Sequence, residues 1–276
     1  MSAAAPPPTY TGMDKNAPAR RYSEACARNR APILAVLQRV LPAAGRLLEI
    51  GAGTGQHAAY FAPHFPGLTW QPTEPDADDR ASIEAWAAET NALNLRPPID
   101  LDVTEAAWPV EQEARSAATG TQQEARSAAT GTQQEAATGA ATGTQQEAAT
   151  GAARTGTQQE ARTGAARTGT PKFSAVFSAN MIHIAAWDCC LGLMAGAGRI
   201  LSENGTLILY GPFKQGGHHT APSNAQFDDS LRRRNAAWGI RDEEAVIDAA
   251  AANGLAHIET VQMPANNRMQ IFQRRG

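Results

Sequence analysis

Leu48-Glu49-Ile50-Gly51-Ala52-Gly53-Thr54-Gly55 joins a short apolar run to three glycines at alternate positions. Arg46–Ile50 has strand character, and Gln56–Ala62, stopped by Pro63, has helix character. Strand, glycine turn and helix in that order open a βαβ unit. Glycines permit a sharp turn and a close approach of a ligand to the main chain. The spacing is not the dinucleotide fingerprint G-x-G-x-x-G, because the third glycine comes one residue early.

Strands and helices alternate on both sides of this unit. Upstream, apolar residues at helical spacing predict a helix over Ser23–Leu41. Pro32 suits a first helical turn, so the long apolar part either starts there after a separate turn at Glu24–Asn29, or continues it. Downstream, strands are predicted at Leu68–Pro72, Ile99–Val103, Phe173–Ser178 and Thr206–Tyr210. Helices are predicted over Asp79–Asn91, Trp187–Leu201, Asn224–Ala237 and Asp242–Ala252, the last closed by Asn253-Gly254. Two final strands, Ala256–Val261 and Met269–Gln273, flank a turn at Pro264–Asn267 and read as an antiparallel hairpin. Several strands are continuously apolar, as strands covered on both faces are. The pattern is a three-layer α/β sandwich with two strands in series at its end.

The chain has 276 residues and a formal net charge of −3. No basic surplus points to duplex nucleic acid or to an anionic membrane. No run of ~18 apolar residues predicts a membrane span. The first residues lack a secretory signal pattern. Three cysteines, Cys26 and the adjacent Cys189 and Cys190, form neither a disulfide framework nor a CxxC pair. Reduced thiols and a cytoplasmic location are the expectation.

Composition is not uniform. Residues 113–170 contain no Leu, Ile, Val, Met, Phe, Tyr or Trp. Glu-Ala-Arg-Ser-Ala-Ala-Thr-Gly-Thr-Gln-Gln occurs at Glu113–Gln123 and again at Glu124–Gln134, and drifted copies continue to Thr170. Such repeats have nothing to bury against the backbone entropy of ordering them, ~1–2 kcal/mol per residue. The segment reads as a low-complexity surface insert, and Met1–Ala19, with Pro6-Pro7-Pro8, as a disordered tail. Without them about 200 residues remain, one domain's worth.

The chemistry concentrates at the carboxyl ends of the predicted strands, where ligands of open α/β sheets bind. Glu49 stands two residues before the first glycine. A carboxylate there repels a pyrophosphate and attracts an ammonium, which favours S-adenosylmethionine over a nicotinamide dinucleotide. Gly51, Gly53 and Gly55 would line its approach. Glu74, with Asp76 as competitor, is placed to accept from the ribose hydroxyls. Asp102 is placed to accept from the adenine amine, and Val103 to pack the adenine face. Asn180 follows the fourth strand, where acceptor and sulfonium would meet, and His183 is the candidate general base.

The order and spacing of these residues resemble the class I S-adenosylmethionine-dependent methyltransferases. Further segments resemble one poorly characterised group, the methyltransferase-like family that contains human methyltransferase-like protein 26. They include Arg28-Asn29-Arg30 with Pro32-Ile33-Leu34, Trp70-Gln71-Pro72, Leu101-Asp102-Val103, Ala179-Asn180-Met181-Ile182-His183-Ile184 and Tyr210-Gly211-Pro212-Phe213. Ser223-Asn224-Ala225, Phe227-Asp228, Trp238-Gly239-Ile240-Arg241-Asp242 and Met263-Pro264-Ala265-Asn266-Asn267 extend the match from Arg20 to Arg274, except the insert. The resemblance implies a seven-stranded, mostly parallel sheet in the order 3-2-1-4-5-7-6 and S-adenosylmethionine as cofactor. It names no substrate; a small molecule or a protein side chain is expected.

Tyr22 and Arg28-Asn29-Arg30 are candidates to close over the pocket or to form a surface salt-bridge cluster. His218-His219 is placed to reach an acceptor but makes a poor metal site. Arg232-Arg233-Arg234 reads as a solvated helix face, and Cys189-Cys190 as packing. Asn180 is followed by Met181-Ile182 rather than by Pro-Pro-aromatic, which disfavours methylation of a DNA amine. It also leaves open a cofactor-binding protein without transferase activity.

Overall fold

The computed structural model describes residues 20–90, 92–111 and 172–276. The expected tail and repeat insert lie outside the described residues.

The elements run α1 (Glu24–Val40), β1 (Gly45–Ile50), α2 (Gln56–Phe61), β2 (Leu68–Thr73), α3 (Ala77–Thr90), β3 (Phe173–Ala179), α4 (Trp187–Ile200), β4 (Leu201–Gly211), β5 (Phe213–Gln215), β6 (His218–His219), α5 (Pro222–Arg234), β7 (Arg241–Asp242), α6 (Glu243–Ala251), β8 (Leu255–Met263) and β9 (Asn267–Arg274). Helix α1 is continuous through Pro32, and Ser23 Oγ caps it by accepting from Cys26 N. Its buried stripe is Ile33, Leu34, Val36 and Leu37.

The main sheet has six strands in the order β2-β1-β3-β4-β9-β8. The first four are parallel, whereas β9 runs antiparallel to β4, and β8 to β9. The expected closing hairpin is present, and the sheet is mixed. The expected seven-stranded sheet is not formed, because the third predicted strand, Ile99–Val103, is not a strand. The segment before and into it follows the outer edge of β2 through two isolated bridges, Trp70 to Leu95 and Thr73 to Ile99. Pro97 and Pro98 lie between the bridges and have no backbone N–H to continue the ladder. With that strand removed, the order of the remaining strands is the expected one.

Successive strand residues face opposite sides of the sheet, so each strand feeds two cores. Leu48, Ile50, Val176, Leu207 and Leu209 pack with Leu193, Met194 and Ala197 of α4 and with Val246 and Ala250 of α6. Leu47, Ala175, Phe177 and Ile208 pack with Ile33 and Leu37 of α1 and with Ala58 and Phe61 of α2. Helices thus cover both faces. A second, three-stranded sheet β6-β5-β7 was not legible in the sequence; its hairpin turns at Gly216 and Gly217, both at positive φ.

Candidate active site

The glycine turn leaves β1 at the carboxyl edge of the parallel strands. Gly51, Gly53 and Gly55 have φ of 64°, 54° and 87°, the left-handed region that glycine enters without strain. Gly55 is doubly constrained, since a Cβ there would lie 2.6 Å from Ile83 Cα. A Cβ on Gly53 would meet nothing within 4 Å, so the turn's main chain is open at that point. Ala52 N donates to Thr73 O at 2.9 Å and ties the turn to the end of β2.

Glu74 stands just past β2. Its Oε2 accepts from Gly53 N at 2.9 Å and its Oε1 from Asp76 N at 3.3 Å. Burial pushes its carboxyl up, partly offset by these N–H donors. The competitor Asp76 is exposed and caps the start of α3, accepting from Asp79 N at 2.9 Å.

Glu49 is buried, and its Oε2 accepts from Trp70 Nε1 at 2.7 Å. Burial, with the charge of Glu74, pushes its carboxyl up to about 8. Glu49, the three glycines and Glu74 are therefore one neighbourhood. Met181 joins it from the loop after β3, with Cγ 3.0 Å from where a Cβ on Gly51 would stand.

Asp102 and Val103 lie on the same side of the chain's path past β2. Asp102 is exposed, and its Oδ1 accepts from Thr104 N at 2.9 Å and Thr104 Oγ1 at 2.7 Å. Val103 is buried, and its carbonyl lies so close to α4 that a Cβ on Gly192 would be 2.3 Å away. One turn on, Trp108 packs flat over Gly196. Two glycines of α4 therefore seat the loop that carries Asp102 and Val103.

Asn180 sits at φ 63° at the end of β3, its N–H bonded to Tyr210 O at 2.8 Å. His183 is 2% exposed, and its Nδ1 has no hydrogen-bond partner. Burial, reinforced by Arg241 and Arg234, lowers it to about 3, so its imidazole is neutral at neutral pH. Its ring meets Phe227 edge to face at 5.7 Å.

Several neighbours were invisible in sequence. Asn29 Oδ1 is 2.7 Å from His57 Nε2, and Asn29 also bonds the Tyr210 hydroxyl, so α1 is fastened to this edge. Arg241 Nε donates to Ile182 O at 2.9 Å and its Nη2 donates to Ala185 O, which clamps the His183 loop. Only a basic residue far along the chain marked this role. Arg28 pairs with Glu24, Arg30 stacks on Tyr60 at 4.5 Å, and Tyr22 is exposed. His218 is exposed, whereas His219 Nε2 lies 3.3 Å from Asp228 Oδ2. Arg232 bonds the same oxygen, so only part of the arginine run is a free face. Cys190 is buried, with its thiol pushed up to about 12 by burial.

Comparison with known proteins gives the family. A model described as a protein family of unknown function, DUF938, matches residues 20–130 and 132–274. The chain belongs to the DUF938 family. The narrower resemblance, to the family of human methyltransferase-like protein 26, is not carried by these matches. Among solved structures, the fold is similar to an O-methyltransferase family protein from Burkholderia thailandensis, with TM-score 0.60 and 12% identity over 92% of this chain and 58% of that one. An O-methyltransferase family 2 protein from Planctomyces limnophilus, in complex with apigenin, gives TM-score 0.59 and 12% identity over 91% and 58%. CalO1, a methyltransferase of calicheamicin biosynthesis in its SAH-bound form, gives 0.55 and 12% over 90% and 54%. The chain spans little more than half the length of these proteins, and at such identity the likeness is one of fold. No helix among the described residues is long and apolar enough to cross a membrane.

Proposed function

We propose that this DUF938 protein is an S-adenosylmethionine-dependent methyltransferase acting on a small-molecule or protein acceptor. The observation that carries the reading is the meeting of Glu49, the three left-handed glycines and Glu74 at the carboxyl ends of β1 and β2. The donor set fits the cofactor: carboxylates for its ammonium and ribose hydroxyls, and bare main chain at Gly53 for close approach. S-adenosylmethionine supplies an electrophilic methyl group on a sulfonium whose departure needs no proton.

In this reading Glu49 takes the ammonium. Gly51, Gly53 and Gly55 let the main chain approach the cofactor. Glu74, already oriented by Gly53 N–H, uses its remaining lone pairs on the ribose. Asp102 accepts from the adenine amine and Val103 packs its face. Asn180 borders the sulfonium, and His183 is the candidate catalytic residue that receives a hydrogen bond or proton from the acceptor. Positioning and exclusion of water contribute the rest. The kinship with methyltransferase-like protein 26, a cytoplasmic setting, and a single domain interrupted near residues 113–170 belong to the same proposal.

Calorimetry with S-adenosylmethionine tests it. Saturable binding is expected, weakened by Glu49→Ala and by Glu74→Ala; unchanged affinity in both variants rejects the site. Label transfer from methyl-labelled cofactor into metabolite or protein extracts then separates an enzyme from a binding protein. Tight binding with persistent absence of transfer favours the latter.

A further inference from the structure

We propose that the sheet edge at Asn180, His183 and Gly211 binds its acceptor through an ionisable aromatic hydroxyl and disfavours ammonium groups. This names a substrate class for the methyltransferase reading above and rests on it.

The polar atoms come first. Among the described residues, His183 Nδ1 and His219 Nδ1 are the buried side-chain atoms without a partner, and such atoms carry a desolvation cost that a ligand can relieve. A Cβ on Gly211 would stand 3.1 Å from His183 Nδ1 and 3.8 Å from Asn180 Oδ1. Two hydrogen-bonding groups thus converge where residue 211 presents only a hydrogen. A neutral imidazole either accepts from a hydroxyl or, in its other tautomer, donates to the ionised oxygen. The edge of Phe227 against His183 supplies an aromatic wall.

Charge then selects among acceptors. Arg241 lies on the His183 loop, and both it and Arg234 impose a positive potential on His183. The facing carboxylate, Asp228, is already engaged. It accepts from Ile240 N at 2.6 Å, and Lys214 and Arg232 each lie 3.2 Å from its Oδ2. The Cys190 thiol on α4 stays neutral. The surplus is positive. It favours an oxygen that loses its proton and repels an ammonium, the form in which lysine side chains and simple amines arrive.

The test is an absorption titration of the full chain with 4-nitrophenol, at a pH where the free probe is half ionised, with and without S-adenosylhomocysteine. Saturable binding with growth of the nitrophenolate band is expected, and benzylamine should not displace it. His183→Ala and Gly211→Ala should each weaken binding by about tenfold, the scale of one charge-assisted hydrogen bond. Gly211→Ala keeps His183 but crowds its Nδ1, so it serves if the histidine variant does not fold. An unchanged spectrum, equal binding of benzylamine, or undiminished binding in a folded variant overturns the inference. Calorimetry with S-adenosylmethionine on the same samples separates the two readings. Cofactor binding without phenol binding sinks this proposal alone, and phenol binding without cofactor binding sinks the methyltransferase reading alone.

Discussion

The Trp70 indole N–H donates to Glu49 Oε2 at 2.7 Å, between two side chains sealed from solvent. That bond steadies the carboxylate but does not offset its burial, so Glu49 rests near pKa 8. An ammonium seated beside it would draw the proton off. Cofactor binding at neutral pH should therefore release a proton, measured by calorimetry in buffers of different ionisation enthalpy. Affinity should fall as the pH drops below about 8. A pH-independent affinity with no proton release would remove Glu49 from the ammonium site.

The same group makes a stability prediction of definite sign. Its folded pKa lies above the unfolded value of 4.5, so its stabilisation is complete below about 4.5 and is lost as pH rises through about 8. Glu49→Gln holds the neutral state at every pH. The variant should lose less Tm than the parent between neutral and alkaline pH, as followed by circular dichroism. Parallel melting profiles across that range would contradict it.

Glu74 links cofactor and turn, because its Oε2 holds Gly53 N at 2.9 Å. Glu74→Ala removes both an acceptor for the ribose and a restraint on the glycines. A loss of roughly 10–100-fold in S-adenosylmethionine affinity is expected, by calorimetry. Glu74→Gln keeps an acceptor oxygen and should fall between. Asp76→Ala should change affinity little, since Asp76 caps α3 instead.

Gly196 has no room for a side chain, because a Cβ would lie 1.9 Å from the Trp108 ring. Gly196→Ala should destabilise the fold by about 1–3 kcal/mol in urea denaturation, the usual cost of overpacking. It should also weaken cofactor binding, since Trp108 belongs to the loop that carries Asp102 and Val103. A variant as stable as the parent would show that this contact carries no strain.

Arg199 bridges the two rims of the repeat insert. Its guanidinium lies 2.9 Å from Glu111 Oε1, and its carbonyl accepts from Lys172 Nζ at 3.0 Å. Rims held together need only a short connection, and loop length costs little, about 0.6 kcal/mol per doubling. Replacing residues 113–170 by a short Gly-Ser linker should leave a cooperative melt and cofactor affinity within about twofold. Loss of the cooperative transition would make the insert part of the fold.

Local patterns carried the alternating elements and the glycine turn with Glu49, because strand, turn and helix preferences act over a few residues. They failed at Ile99–Val103, where apolar alternation was visible but the effect of Pro97-Pro98 on a neighbouring ladder was not. They also misjudged two small residues. Gly192 and Gly196 read as weak points in a helix, and they are where a loop and an indole press against it.

The amino-acid sequence alone determined the α/β class, the position of the glycine turn, and which carboxylates and histidines stand at strand ends, since these follow from backbone preference and hydrophobic period. Tertiary structure decided the rest. Trp70 on Glu49, Arg241 on the His183 loop, and Asn29 on His57 and Tyr210 join residues far apart in the chain. Their proximity depends on how the layers pack, and no local preference encodes it. Burial, which shifts Glu49 upward and His183 downward, exists only once those layers have closed.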